Sequence, residues 1–226
     1  MKARIALIHA VTVAMEPVHE AFRRLWPEAE CCNILDDSLS LDRERDGVLT
    51  AAMRRRIGDL ADYAAAIGAN GILFTCSAFD EAIEVAAGRL SIPVLKPNEA
   101  MFEAALAIGG RIAMLATFAP SVGSMEDEFR DMAAAGQSRA TIETYCVPGA
   151  MAALKAGDDA EHDRLIAQAA PRFGDFDAVL LAHFSTSRAA PAVMAVLDRP
   201  VLTSPGSAAA RLKGIIGTLQ QQSGQP

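Results

Sequence analysis

Cys76 lies in the segment Gly71-Ile-Leu-Phe-Thr-Cys-Ser-Ala-Phe79, where a short apolar run gives way to small polar residues. A cysteine at such a strand-to-helix turn has a physical advantage. The helix N-terminus that follows carries partial positive charge and unpaired N–H groups, which favour thiolate over thiol. The same N–H groups, with the hydroxyls of Thr75 and Ser77, can cradle a carboxylate. The chemistry this predicts is acid/base or nucleophilic work by a thiol on a small carboxylate. The plainer alternative is a small buried cysteine closing a strand, and the polar neighbours on both sides weigh against it. Cys31, Cys32 and Cys146 lie within apolar strand patterns and take that plainer reading.

His183 follows a comparable apolar run and precedes Phe184-Ser-Thr-Ser187. An imidazole there can exchange protons near neutral pH, or it can be hydrogen-bonded in place as an orienter of the loop. Ser185 and Thr186 make a second hydroxyl-rich turn, suited to an oxyanion or to a plain helix cap. Other strand ends bring His9 and Thr12, then Thr117 and Ser121, to the same side. Asp36 and Asp37 read as a turn and cap with Ser38, and Ser204 precedes Pro205.

The elements that must position these residues alternate regularly. Short apolar runs predict strands at 4–8, 30–35, 71–75, 94–95, 111–116, 141–147, 178–182 and 201–203. Longer amphipathic patterns predict helices at 17–25, 50–67, 79–89, 98–108, 121–135, 150–156, 158–173, 188–197 and 207–220, several opened by cap-type residues (Asn98, Ser121, Asp158). Strands that read as continuous Val, Ile, Leu and Ala are those of a parallel sheet with both faces covered. The class is α/β with right-handed crossovers.

The chain also repeats itself. Residues 69–79 and 176–186 share a polar residue, a five-residue apolar strand and a small polar loop, and Cys76 falls opposite His183. Each is followed by a helix, a strand entered through proline (Pro93, Pro200), a further proline (Pro97, Pro205) and another helix. Two copies of one unit is the economical reading. It predicts two similar three-layer α/β half-domains with parallel sheets, related by pseudo-twofold symmetry, with an active-site cleft between them. The first half spans 1–98 with the last helix, 205–226, packing back on it, and the second spans 99–204. Ligands of open α/β sheets bind beyond the carboxyl ends of the strands, where both Cys76 and His183 fall.

Composition narrows the function. The formal net charge of −7 argues against nucleic acid and anionic membrane as partners, and Arg54-Arg55-Arg56 reads as a solvated helix face. The four cysteines have no CxxC spacing and the four histidines no metal-ligand spacing, so a reducing, cytoplasmic setting without metal is expected. Lys2 and Arg4 before an apolar run resemble a signal peptide, but His9, Thr12 and Glu16 interrupt that run early, and a first strand accounts for it. No nucleotide, zinc-protease, nucleophile-elbow or calcium-loop motif is present, which leaves side-chain chemistry without a cofactor.

Four segments resemble the aspartate/glutamate racemase superfamily, with its hydantoin racemase, maleate isomerase and arylmalonate decarboxylase relatives. They are the Cys76 segment, Ile92-Pro-Val-Leu-Lys-Pro-Asn-Glu-Ala-Met101, Arg111-Ile-Ala-Met-Leu-Ala-Thr117 and Asp177-Ala-Val-Leu-Leu-Ala-His-Phe-Ser185. The resemblance spans nearly the whole chain and rests on the order and spacing of these segments together. It implies two similar halves and a cofactor-independent isomerase in which paired cysteines remove and return a proton beside a carboxylate. Carried over, the first cysteine is Cys76 and the second position is His183, so the pair is asymmetric. Family decarboxylases use one cysteine, but in the second half, so neither subgroup transfers cleanly.

The mechanism expected has Cys76 thiolate abstracting or delivering a proton, or attacking directly, with His183 as partner acid/base. Ser77, Thr117, Ser185 and Thr186, with His9 and Thr12, form the expected substrate-binding set, and the partner is a small carboxylate substrate, with a homo-oligomer as the default assembly. Two alternatives stand beside it: a one-thiol decarboxylase or lyase, and a small-carboxylate-binding protein whose catalysis is lost.

Overall fold

The computed structural model describes residues 2–223. The chain divides into two compact units. Unit 1 comprises the chain up to Ala100 together with the stretch from Ala208 onward, and unit 2 is Met101–Ser207.

Unit 1 contains β1 (Arg4–His9), α1 (Met15–Leu25), β2 (Glu30–Leu35), α2 (Ser38–Asp46), α3 (Ala51–Ala66), β3 (Gly71–Phe74), α4 (Asp80–Ala87), β4 (Val94–Leu95) and the start of α5 (Glu99–Ile108). Unit 2 contains β5 (Arg111–Ala116), α6 (Val122–Ala135), β6 (Thr141–Cys146), α7 (Ala150–Lys155), α8 (Asp159–Ala169), β7 (Ala178–Leu181), α9 (Ala190–Met194) and β8 (Val201–Thr203). The last helix, α10 (Ser204–Ser223), runs back into unit 1.

Each unit carries a four-stranded parallel sheet, in the orders β2-β1-β3-β4 and β6-β5-β7-β8. The registers repeat. Ile5 pairs with Gly71 as Ile112 pairs with Ala178, and Ile72 pairs with Val94 as Val179 pairs with Val201. The prolines recur as well, since Ile72 N–H bonds to the Pro93 carbonyl and Val179 N–H to the Pro200 carbonyl. Proline lacks an N–H but keeps its carbonyl, so it can open a strand from an edge position.

The central strands are buried along their whole length in β3 and β7, because helices cover both faces. In unit 2 the period of two is plain. Ala113, Leu115, Val179 and Leu181 join Ile166 and Phe173 on one face, while Ile112, Met114, Ala178 and Leu180 join Phe102 and Phe129 on the other. Unit 1 packs Ile8, Ile72 and Phe74 against Met53, Ile57, Phe79 and Ile83. At Gly71 a Cβ would meet Leu212 Cδ2 and Ile216 Cδ1 of α10 at 3.1 Å each, so the bare backbone lets that helix lie close against β3.

Several boundaries differ from expectation, each for a local reason. The helix expected over 158–173 ends at Ala169 and tightens into a 3-10 turn, Ala170–Phe173, because Pro171 has no N–H to continue it. The helix expected over 188–197 is a 3-10 segment, Ser185–Ala189, followed by the short α9, with Pro191 in its first turn. Helix α10 begins at Ser204 rather than Ser207, since Pro205 in a first turn loses nothing by lacking its N–H. The 36–38 stretch is not a simple turn but leads into α2, which buries only Leu39 and therefore has almost no apolar period to read.

Candidate active site

In unit 1, Cys76 stands in extended conformation (φ −134°, ψ 118°) two residues past β3 and directly before a 3-10 turn, Ser77–Phe79. The thiol is half-buried. Burial pushes its pKa up, the Ala78 backbone N–H pulls it down, Asp80 pushes it up, and Arg43 pulls it down. The net direction is upward, opposite to the thiolate-favouring effect expected of a helix start. The Cys76 side chain makes no cap hydrogen bond to the turn that follows, and the loss of solvent outweighs the lowering influences of the Ala78 backbone and Arg43. Cys76 therefore rests as a neutral thiol at neutral pH. Ser77 beside it is exposed.

Arg43 was not foreseen. It comes from α2, and its Nε donates to the Ala78 carbonyl at 3.3 Å, which ties α2 to the Cys76 turn. No carboxylate of the described residues pairs with its guanidinium. Helix α2 is itself held by Arg56 of α3, which reaches Asp36 Oδ2 at 2.5 Å and Asp42 Oδ2 at 2.6 Å.

His9 ends β1 and is fully buried. Its Nε2 lies 3.1 Å from Asn33 Oδ1, and His19 Nε2 lies 2.9 Å from the same oxygen. An amide oxygen only accepts, so both rings donate from Nε2. His9 Nδ1 then carries a lone pair and accepts from the Thr75 hydroxyl at 2.9 Å. Burial holds the His9 pKa down, partly opposed by the Asn33 bond and reinforced by His19. His9 Nδ1 is thus engaged with Thr75, the residue before Cys76, and its Nε2 with Asn33. Thr12, in the 3-10 turn Thr12–Ala14, is exposed.

In unit 2, His183 lies at the matching place, two residues past β7, but with a left-handed backbone (φ 71°). Few residues other than glycine accept that conformation, and its persistence at a strand end is a mark of local constraint. Ser121 Oγ is 2.6 Å from His183 Nε2, while Nδ1 is buried without a hydrogen-bond partner. Burial pushes the His183 pKa down to about 4, against a smaller upward pull from the Ala182 backbone, so the ring is neutral at neutral pH. Ser121 does not cap α6, as its position suggested; its hydroxyl is engaged with His183 and the Phe118 carbonyl (2.9 Å).

Thr117 and Thr186 are buried, with their hydroxyls 3.4 Å apart. They link the residue after β5 to the 3-10 turn after β7. Ser185 is half-buried, and Ser187 Oγ donates to the Phe184 carbonyl at 2.6 Å. Among the described residues no group of three or more His, Cys, Asp or Glu side chains could hold a metal ion. No helix among them is long and apolar enough to cross a membrane.

Two parallel α/β sheets of one strand order, each with a titratable side chain just past its third strand, define a two-unit α/β fold built on a repeat. The Asp/Glu/Hydantoin racemase family matches residues 10–212, and the chain belongs to that family. Solved structures agree at the level of fold. An allantoin racemase from Klebsiella pneumoniae superimposes with a TM-score of 0.72 at 14% identity, covering 96% of this chain and 89% of that one. A glutamate racemase from Thermus thermophilus, in complex with beta-chloro-D-alanine, gives 0.65 at 21% identity, covering 97% and 82%. Unliganded arylmalonate decarboxylase gives 0.62 at 16%, covering 96% and 93%. No curated protein sequence matches the chain significantly.

Proposed function

We propose that this protein is a cofactor-independent racemase or isomerase that moves a proton on the carbon beside a carboxylate of a small acid or amino-acid-like substrate, using Cys76 and His183 as an asymmetric pair. The observation that carries the reading is positional: Cys76 and His183 stand at matching places, two residues past β3 and β7. Cys76 rests as an acid with its proton on sulfur, and His183 rests as a neutral base. In one direction the substrate C–H proton passes to the His183 side, and its electron pair delocalises into the carboxylate as an enediolate. The Cys76 S–H proton then returns to the carbon's other face, leaving thiolate and imidazolium, which a proton exchanged through solvent resets. A bound carboxylate raises the basicity of a neighbouring imidazole by its own charge, which offsets the weak basicity that burial imposes. Arg43 supplies a cation for the substrate carboxylate, and the Ala78 N–H and Ser77 hydroxyl supply further donors. Four free cysteines suit a reducing, cytoplasmic setting.

The test is proton exchange. Single enantiomers of small 2-amino and 2-hydroxy acids and of hydantoin-type compounds, incubated in deuterated water, are expected to take up deuterium at the α-carbon with inversion. Cys76→Ala is expected to slow this by about 10²–10⁴-fold, the usual contribution of one acid/base group. Full turnover by Cys76→Ala refutes the role of the thiol. Release of CO₂ from a malonate-type acid instead of exchange assigns a one-thiol decarboxylase. Saturable binding with neither reaction assigns a binding protein.

A further inference from the structure

His183 offers a substrate neither ring nitrogen directly. Nδ1 is buried, and Nε2 is occupied at 2.6 Å by the Ser121 hydroxyl. We propose that Ser121 and His183 form a hydroxyl–imidazole dyad, in which Ser121 Oγ is the atom that exchanges a proton with the substrate and His183 Nε2 is the base behind it. The proposal rests on the proton-transfer function above and moves its point of contact in unit 2 from the imidazole to the serine.

The tautomer follows from what each neighbour can do. Ser121 Oγ has one proton to give and lies 2.6 Å from His183 Nε2, closer than its 2.9 Å to the Phe118 carbonyl, which makes Nε2 the acceptor. Nε2 faces Ser121, so the ring proton belongs on Nδ1. The Ser121 hydroxyl can donate or accept, and with Nε2 bare it must donate. Its second neighbour, the Phe118 carbonyl at 2.9 Å, already receives the Ser121 backbone N–H at 3.3 Å and does not depend on the hydroxyl.

During turnover one proton enters the dyad and one moves along it. The substrate C–H bond breaks, its proton forms a new bond to Ser121 Oγ, and the former hydroxyl proton transfers to His183 Nε2. The electron pair of the C–H bond stays with the substrate as the enediolate. The resulting imidazolium holds both N–H groups, with Nε2–H against Ser121. No oxidant, metal or second reactant is required. His183 has a left-handed backbone where the matching Cys76 is extended.

Two measurements on the full chain test the dyad. In protein labelled with ¹⁵N at histidine, NMR is expected to show His183 protonated on Nδ1 with Nε2 as a bare acceptor. Ser121→Ala is expected to keep the Nδ1 proton and to shift the Nε2 resonance as it loses its donor. A proton on Nε2 in the unsubstituted protein overturns the proposal. In deuterium exchange, Ser121→Ala and His183→Asn are each expected to slow the same face by about 10²–10⁴-fold. The double variant should be no slower than either, and Ser121→Thr should restore exchange. Ser121→Ala retaining exchange that His183→Asn abolishes means that imidazole meets the substrate directly, and the proposal is wrong. If the unsubstituted protein exchanges none of the acids, the proton-transfer function fails, and the NMR measurement still decides the dyad by itself.

Discussion

At the scale of single residues, the two halves carry opposite biases. Burial pushes Cys76 up and His183 down, and both shifts disfavour charge in the resting protein. For His183 this has a measurable consequence for stability. Its ordinary value of 6.5 falls to about 4 in the fold, so between those values the unfolded chain binds more protons than the folded one. The His183 contribution is complete above pH 6.5 and is lost as pH falls through 4. Thermal unfolding of His183→Asn, followed across this window, is expected to show a smaller loss of midpoint on acidification than the parent protein; an equal loss contradicts the shift. Asparagine is the fitting replacement because it tolerates a left-handed backbone. Cys76 was legible as a strand-end thiol before any coordinates, and so was the pairing of its position with His183. What sequence could not give was the charge balance, since desolvation depends on neighbours distant along the chain, among them Arg43.

At the scale of elements, helix starts separate real caps from apparent ones. Asp158 accepts from Glu161 N–H at 3.0 Å and caps α8, and Thr50 accepts from Met53 N–H and caps α3. Ser121 has the same residue type and position but spends its hydroxyl elsewhere. Asp158→Ala is therefore expected to cost about 1 kcal/mol in chemical denaturation. Ser121→Ala should cost less through its helix than through the lost contact with His183. Strand limits were readable to within a residue in β3, β5, β7 and β8. Helix α2 was missed because Leu39 is its one buried residue, and the 3-10 segments were missed because hydroxyl-rich turns around Ser77 and Ser185 carry no period of 3.6. The elements hardest to read are the ones that touch the candidate site.

At the scale of the whole chain, unit 1 depends on its most distant segment. The chain leaves that unit at Ala100 and returns at Ala208, and Leu212 and Ile216 come against Gly71. Both ends of the sequence thus share one core. Truncation after Thr203, which removes α10, is expected to expose β3 and to lower hydrogen-exchange protection of the β1 and β3 amides more than that of β5 and β7. Equal loss in both sheets, or none, would show that α10 is not integral to unit 1. The central strands keep one sequence interval across the two units, from Ile5, Gly71 and Val94 to Ile112, Ala178 and Val201, whereas the outer β2 and β6 do not share it. Helix α2 sits in the part of unit 1 that departs from the repeat. It is anchored by Leu39 in the core of unit 1 and by the bridging of Asp36 and Asp42 by Arg56, and it carries the guanidinium of Arg43. Dissolved ions screen half-exposed pairs of this kind, over a Debye length of about 8 Å at physiological ionic strength. Added salt is therefore expected to weaken the Arg56 bridges and the pull of Arg43 on Cys76, and so to slow alkylation of Cys76 at fixed pH; an unchanged rate would show that α2 exerts no electrostatic hold on the thiol.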